Sequence, residues 1–413
     1  MAHSDGAPGI GSTTSERRLR LGVAGLGRGF MLMLPTLARH PRVQLVAAAD
    51  PRAEARDQFA RDFGARTHAT VAELCADPAV EAVYVATPHQ FHVEHVTGAA
   101  RGGKHVLVEK PMALTLAECG AMIEATRRAG VRMVVGHSHS FDAPYLRARA
   151  IIESGTVGRV RMISALNYTD FLYRPRRPEE LETARGGGVV HSQGAHQVDI
   201  VRLLGGGRVR SVRAATGAWD PARPTEGAYS AFLTFEDGAF ATLTYSGYAR
   251  FDTDEFQGWV GEVGQERRPV SYGAARALLR RVATPKEEAA LKNTRAYGNT
   301  PIATPAPAAL PAQALAHNHF GLVIVSCERG DLRPMPGGVV VYGDEAQRLD
   351  PLARPVVPRA EVIDELYDAA VHGRPPVHSG EWGMATLEVC LAILRSAAEG
   401  CELEMASQVG VQS

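Results

Sequence analysis

The sequence predicts an α/β protein: a doubly wound parallel sheet at the N-terminus, then a second α/β domain built on antiparallel strands. Three observations predict it. Short apolar runs alternate with helical patterns from Leu19 to Ser140, and a glycine-rich turn follows the first run. Beyond Ser140 the runs lengthen and alternate polar with apolar residues. A chain of 413 residues suits two domains better than one core. The expected division is a disordered tail over 1–15, a first domain over 16–140 and a second over 141–413.

In the first domain, Leu21–Ala24, Val43–Ala49, Val80–Ala86, Val106–Val108 and Met133–Val135 read as strands, being short and rich in β-branched residues. Glu54–Phe63, His92–Ala100 and Leu116–Ala129 carry helical periodicity. In the second domain a helix over Tyr145–Ser154 precedes strands Val160–Tyr168, Val209–Ala218, Tyr229–Phe235 and Ala239–Tyr248. Glu236-Asp237-Gly238 turns the last two into a hairpin, and Val190–Leu204 is helical. Residues 283–316, rich in Ala, Pro and Thr, are expected to form a long irregular excursion. An amphipathic helix near Trp382–Glu399 closes the chain.

Lys+Arg and Asp+Glu each number 45, so no global charge draws the chain to nucleic acid or an anionic membrane. No apolar run is long enough to span a bilayer, and residues 1–15 lack the apolar core of a signal peptide. The five cysteines are scattered and form no C-x-x-C pair, which suits a reducing compartment. A soluble cytoplasmic protein is expected.

Leu21–Ala24 runs straight into Gly25-Leu26-Gly27-Arg28-Gly29-Phe30. Glycines there permit a tight turn and bring backbone amides against a pyrophosphate at a helix N-terminus. The third glycine of the usual pattern would stand at Phe30, and here it stands at Gly29. Pro35 predicts that the following helix starts late or kinks. Asp50 ends the second strand, where a carboxylate accepts from ribose hydroxyls and repels a 2′-phosphate. NAD is therefore expected over NADP, with Arg52 and Arg56 as neighbouring counter-charges. A plain turn residue before Pro51 is the alternative role for Asp50. The first domain thus reads as a Rossmann dinucleotide-binding domain.

Lys110 directly follows a buried strand, and in an open parallel sheet ligands bind just beyond the carboxyl ends of the strands. A lysine there can relay the proton of a substrate hydroxyl. The runs Ala86-Thr87-Pro88-His89-Gln90-Phe91-His92, Gly103-Lys104-His105-Val106 and Glu109-Lys110-Pro111 together resemble the Gfo/Idh/MocA oxidoreductases. The resemblance extends over about residues 19–250 and more loosely over 320–405. It implies a C-terminal domain with a large, mostly antiparallel sheet, whose open face joins subunits into a dimer or tetramer. It also implies that Thr87, Pro88 and His92 line the nicotinamide end, with Glu109 and Lys110 at the reacting centre.

Members of that family carry a glycine run, then D-x-G-x-H and a further Asp. Here Gly186-Gly187-Gly188 leads to His191-Ser192-Gln193-Gly194-Ala195-His196 and Asp199, with Ser192 in place of the aspartate. His196 is the candidate general base or acid, on one helical face with Ser192 at i and i+4. Asp199 either orients His196 or faces a neighbouring helix. Arg174, Arg176 and Arg177 crowd the loop before the glycine run, and His137 and His139 follow the last Rossmann strand. His137-x-His139 shows no third ligand at suitable spacing, so no metal is expected.

A pocket that loses a carboxylate and gains arginines suits a small anionic substrate, with Arg174, His191, Ser192 and His137 as its contacts. Residues 167–177 and 191–193 resemble the branch of the family that oxidises dicarboxylated aromatic cis-dihydrodiols to catechols. Two alternatives stay open. One is a sugar or inositol dehydrogenase of the same family. The other is a non-catalytic NAD-binding sensor or scaffold, which would need neither Lys110 nor His196.

Overall fold

The computed structural model describes residues 17–269, 273–299 and 316–411, so the tail expected over 1–15 lies outside the described residues. The first sheet comprises β1 (Leu19–Ala24), β2 (Val43–Ala49), β3 (Arg66–His68), β4 (Ala82–Val85), β5 (His105–Val108) and β6 (Met133–Val135). All six are parallel, in the order β3-β2-β1-β4-β5-β6. Helices α1 (Arg28–Leu37), α2 (Ala53–Phe63), α3 (Val71–Ala76), α4 (His92–Arg101) and α5 (Leu116–Arg128) connect them. β4 is buried at every position, which explains an apolar run without alternation. The strand order reverses between β1 and β4, and a crevice opens there beyond their carboxyl ends.

Two local expectations change. β3 is a three-residue edge strand too short and too exposed to read from periodicity. Helix α1 begins at once at Arg28 rather than late, because Pro35 falls in its last turns. There the ring forfeits one backbone bond without touching the N-terminus.

In the second domain α6 (Ala143–Glu153) leads to β7 (Val160–Tyr168), α7 (Ala195–Leu204), β8 (Val209–Gly217), β9 (Ala228–Phe235) and β10 (Phe240–Ser246). There follow α8 (Ala274–Leu279), α9 (Pro285–Asn293), β11 (Leu322–Cys327), β12 (Gly330–Met335), β13 (Gly338–Tyr342) and β14 (Gln347–Pro351). The chain closes with α10 (Ala360–Val371), α11 (Gly380–Glu399) and β15 (Leu403–Glu404). The nine strands run β14-β13-β12-β11-β7-β10-β9-β8-β15, antiparallel except for the β7–β10 pair. Helices α6, α7 and α11 bury their apolar sides against one face of this sheet.

The excursion expected over 283–316 is in part a helix. Thr284 accepts from the Glu287 amide, Pro285 opens the first turn and Glu287 and Glu288 sit near the positive end of α9. Residues 300–315 lie outside the described residues. Beyond α9 the chain returns to the first domain. Tyr297 is fully buried against Phe30 and Phe59, and α10 packs Val362, Ile363 and Leu366 into the same core. Among the described residues, no helix is long and apolar enough to cross a membrane.

Candidate active site

The glycine turn forms a cradle. Gly25 has φ +91°, and a Cβ there would stand 3.0 Å from the Ala86 carbonyl oxygen. Gly27 precedes α1 without any side-chain cap, and nothing lies within 4 Å of where its Cβ would be. The first amides of α1 are thus left for an anion, and the turn fits the pyrophosphate of a dinucleotide. Phe30 departs from its expected role: its ring is fully buried between Phe59 and Tyr297, so the side chain serves the core and not the cofactor.

Asp50 stands at the end of β2 as expected, but its carboxylate is already engaged. Oδ2 accepts from the Leu26 amide at 2.9 Å, and Oδ1 accepts from the Arg52 amide and Arg52 Nε, both at 2.9 Å. Arg52 also donates to the carbonyls of Leu26 (2.9 Å) and Tyr297 (3.0 Å). A ribose hydroxyl would share Asp50 with Arg52.

A cavity of about 490 Å³ lies at the carboxyl end of β5 and brings together Arg28, Gly29, Glu109, Lys110, His137, Arg174, Ser192 and His196. Lys110 Nζ donates to the Ser192 carbonyl at 2.7 Å. Burial lowers its pKa to about 8, while Glu109 pulls the other way. Glu109 accepts from Tyr84 Oη at 2.5 Å, and burial raises its carboxyl above the usual range. His196 is buried, and its Nδ1 accepts from the His139 amide at 3.3 Å, which puts the ring proton on Nε2. Burial, then Lys110, holds this imidazole neutral. His196 is therefore a hydrogen-bond donor to a substrate oxygen, and Lys110 is the group poised to take a proton near neutral pH.

Ser192 lies in a π turn, Val190–Gly194, ahead of α7, so the simple i, i+4 relation to His196 does not hold. Its carbonyl faces Lys110. His191 does not reach the main cavity; it borders a separate small void with Trp382 and Thr386, and its Nδ1 has no partner. Asp199 accepts from Trp382 Nε1 (2.5 Å), Thr386 (3.0 Å) and Ser140 (2.5 Å), so it ties α7 to α11 and does not orient His196. Thr87, Pro88 and His92 do not line the cavity. His92 is a brace: Nε2 lies 2.9 Å from the Thr87 carbonyl and Nδ1 3.2 Å from those of Pro111 and Met112.

The arginines of the 173–177 loop are largely committed. Arg174 pairs with Asp170 (3.3 Å) and Glu262 (3.6 Å), Arg176 lies over the Phe171 ring near Glu180, and Arg177 bonds Asn293. Arg267 pairs with Asp252 and Asp254, and Lys292 with Glu180. Among the described residues, Arg28, Arg295 and Arg359 line the cavity with no carboxylate partner. Sequence reasoning missed Arg295 and Arg359. The caps of α9 could have drawn attention to Arg295; no local signal marks Arg359.

The expectation that His137-x-His139 lacks a third ligand is corrected by Asp142, three residues beyond His139, which with the two histidines offers ligand atoms within 4.8 Å of one another. Asp142 already accepts from His139 Nδ1 (2.6 Å), His137 Nε2 (3.3 Å) and Asn318 (3.2 Å). Burial, then the nearby Arg359 charge, pushes His137 down to about 3, so its ring is neutral.

Residues 19–137 match the oxidoreductase family with an NAD-binding Rossmann fold, and residues 145–262 match the GFO/IDH/MocA C-terminal domain. The 1-carboxy-3-chloro-3,4-dihydroxycyclohexa-1,5-diene dehydrogenase of Comamonas testosteroni is 49% identical, over 91% of this chain and 94% of its own. The NAD-dependent scyllo-inositol 2-dehydrogenase of Bacillus subtilis (strain 168) is 31% identical, over 48% of this chain and 57% of its own. The crystal structure of a chain described as a dehydrogenase from Bordetella bronchiseptica RB50 superposes with a TM-score of 0.87 at 44% identity, over 94% of this chain and 100% of that one. The chain belongs to the Gfo/Idh/MocA family and is an NAD-dependent dehydrogenase.

Proposed function

We propose that this dehydrogenase oxidises a carboxylated aromatic cis-dihydrodiol to the corresponding catechol, with 4,5-dihydro-4,5-dihydroxyphthalate as the first substrate to test. The observation that carries the reading is the charge of the cavity: eight lysines and arginines line it against three carboxylates. Such a surface suits an anion far better than a neutral polyol. The dihydrodiol carboxylate named for the Comamonas relative supports the same class.

The chemistry follows from the residues. The carbinol hydroxyl sits against Lys110 and His196; His196 Nε2 donates to its oxygen, and Lys110 Nζ, as the free amine, takes its proton. NAD, when bound, supplies the ring carbon that accepts the hydride leaving the carbinol carbon. The resulting hydroxydienone tautomerises to the catechol, and aromatisation drives the reaction forward. The experiment is NADH formation with 4,5-dihydro-4,5-dihydroxyphthalate, the chlorinated monocarboxylate diol, myo-inositol and glucose. Turnover of either carboxylated diol above both polyols supports the reading; faster turnover of inositol or glucose replaces it with a polyol dehydrogenase.

We also propose a homo-oligomer, dimer or tetramer, joined through the uncovered face of the nine-stranded sheet. Phe232 and Phe240 are 42% and 37% exposed there and pack on each other at 5.6 Å, an apolar patch that suits a second copy.

A further inference from the structure

We propose that Arg359 holds the ring carboxylate of the substrate and thereby positions the ring against Lys110. The inference rests on the carboxylated-dihydrodiol reading above and adds the residue that recognises the carboxylate.

Three guanidinium groups line the cavity without a carboxylate partner among the described residues, Arg28, Arg295 and Arg359, and they are not equivalent. Arg28 is the first residue of α1, beside the glycine turn, and among the charges acting on it Arg295 has the largest effect. Both are exposed and stand at the pyrophosphate end. Arg359 is partly buried and comes from the other end of the chain. Thr36 Oγ1 donates to the Pro358 carbonyl at 2.6 Å, and Arg359 Nη1 donates to the Leu32 carbonyl at 3.1 Å. These two bonds pin the loop before α10 onto α1, beyond the glycine turn. The remaining guanidinium donors are left to the cavity.

Two further observations agree. Arg359 has φ +53°, a left-handed backbone that residues with a Cβ seldom adopt and that recurs at ligand-binding positions. Its charge reaches the reacting end, acting on Glu109, His137 and His196, as well as Arg28 beside the glycine turn. A planar guanidinium there can grip a carboxylate with two parallel bonds, which fixes the ring in its own plane as well as holding it. Arg174, the arginine singled out from sequence, already faces Asp170 and Glu262, so it contributes little net charge for a ligand.

The test compares wild type with Arg359→Asn, whose side chain tolerates the left-handed backbone, and with Arg359→Lys. Each is assayed on 4,5-dihydro-4,5-dihydroxyphthalate and on uncharged cis-benzene dihydrodiol, with the NADH Kd read by fluorescence. The expected result is a wild type that prefers the carboxylated diol. In Arg359→Asn that preference should fall at least tenfold, mainly through KM, with NADH Kd moving less than twofold. Arg359→Lys should recover part of the preference. A preference unchanged in Arg359→Asn, an equal loss on both diols, or a loss confined to NADH binding overturns the assignment. The last result would return Arg359 to the pyrophosphate. A wild type that prefers the uncharged diol overturns the functional reading itself, and with it this inference.

Discussion

Lys110 and His196 divide the proton chemistry because their surroundings differ. His196 has its Nδ1 taken by a backbone amide, so it can only donate at Nε2, whereas Lys110, lowered to about 8, can lose its proton in the working range. Oxidation needs the free amine, so kcat/KM should rise with pH and level off above about 8, as measured by initial rates across a pH series. Lys110→Met should remove that rising limb and lower kcat by roughly two to four powers of ten, the worth of a positioned proton-transfer group. A variant with near-normal kcat, or with the limb intact, would take Lys110 out of the mechanism. This pair was legible in the sequence because a strand end and a short motif place it. The anion contacts were less so. Arg174 reads as a pocket residue until Asp170 and Glu262 are seen beside it, and Arg359 is brought to Leu32 across a sequence separation of 327 residues that no local pattern encodes.

At the scale of elements, the Rossmann half was readable because its strands are short, continuous and buried, and its turn chemistry is local. The meander β11–β14 was not. No strand is assigned there from sequence: β14 is largely exposed, and the strand spanning Gly330–Met335 contains Pro334, which disfavours a strand reading. Helix α9 was hidden by an Ala- and Pro-rich composition although its caps were present. What that segment does is visible in packing: Arg176 and Arg223 bond Glu288 on its inner side, and Tyr297 plugs the first domain between Phe30 and Phe59. It therefore ties the substrate loop to the glycine turn. Tyr297→Ala should destabilise the protein by about 3–5 kcal/mol, the usual cost of truncating a buried large aromatic, read from the denaturant midpoint. A loss below about 1 kcal/mol, the scale of a surface change, would mean that the segment is not docked in solution.

For the whole molecule, the two sheets meet over one cavity, with the cofactor cradle on the first and the cation-rich wall on the second and on the returning C-terminal segment. The uncovered sheet face predicts a dimer or tetramer by light scattering, and Phe232→Glu should shift it toward monomer; a wild-type monomer at micromolar concentration would remove the interface. The central claim is that this cavity selects a carboxylated dihydrodiol. The most direct measurement is competition in one vessel: equal concentrations of 4,5-dihydro-4,5-dihydroxyphthalate and uncharged cis-benzene dihydrodiol with limiting NAD, and the two catechols separated by chromatography. A charge-assisted contact of about 1.5–3 kcal/mol predicts that the carboxylated catechol exceeds the other by roughly ten- to hundredfold. Equal amounts, or an excess of the uncharged catechol, would contradict the account.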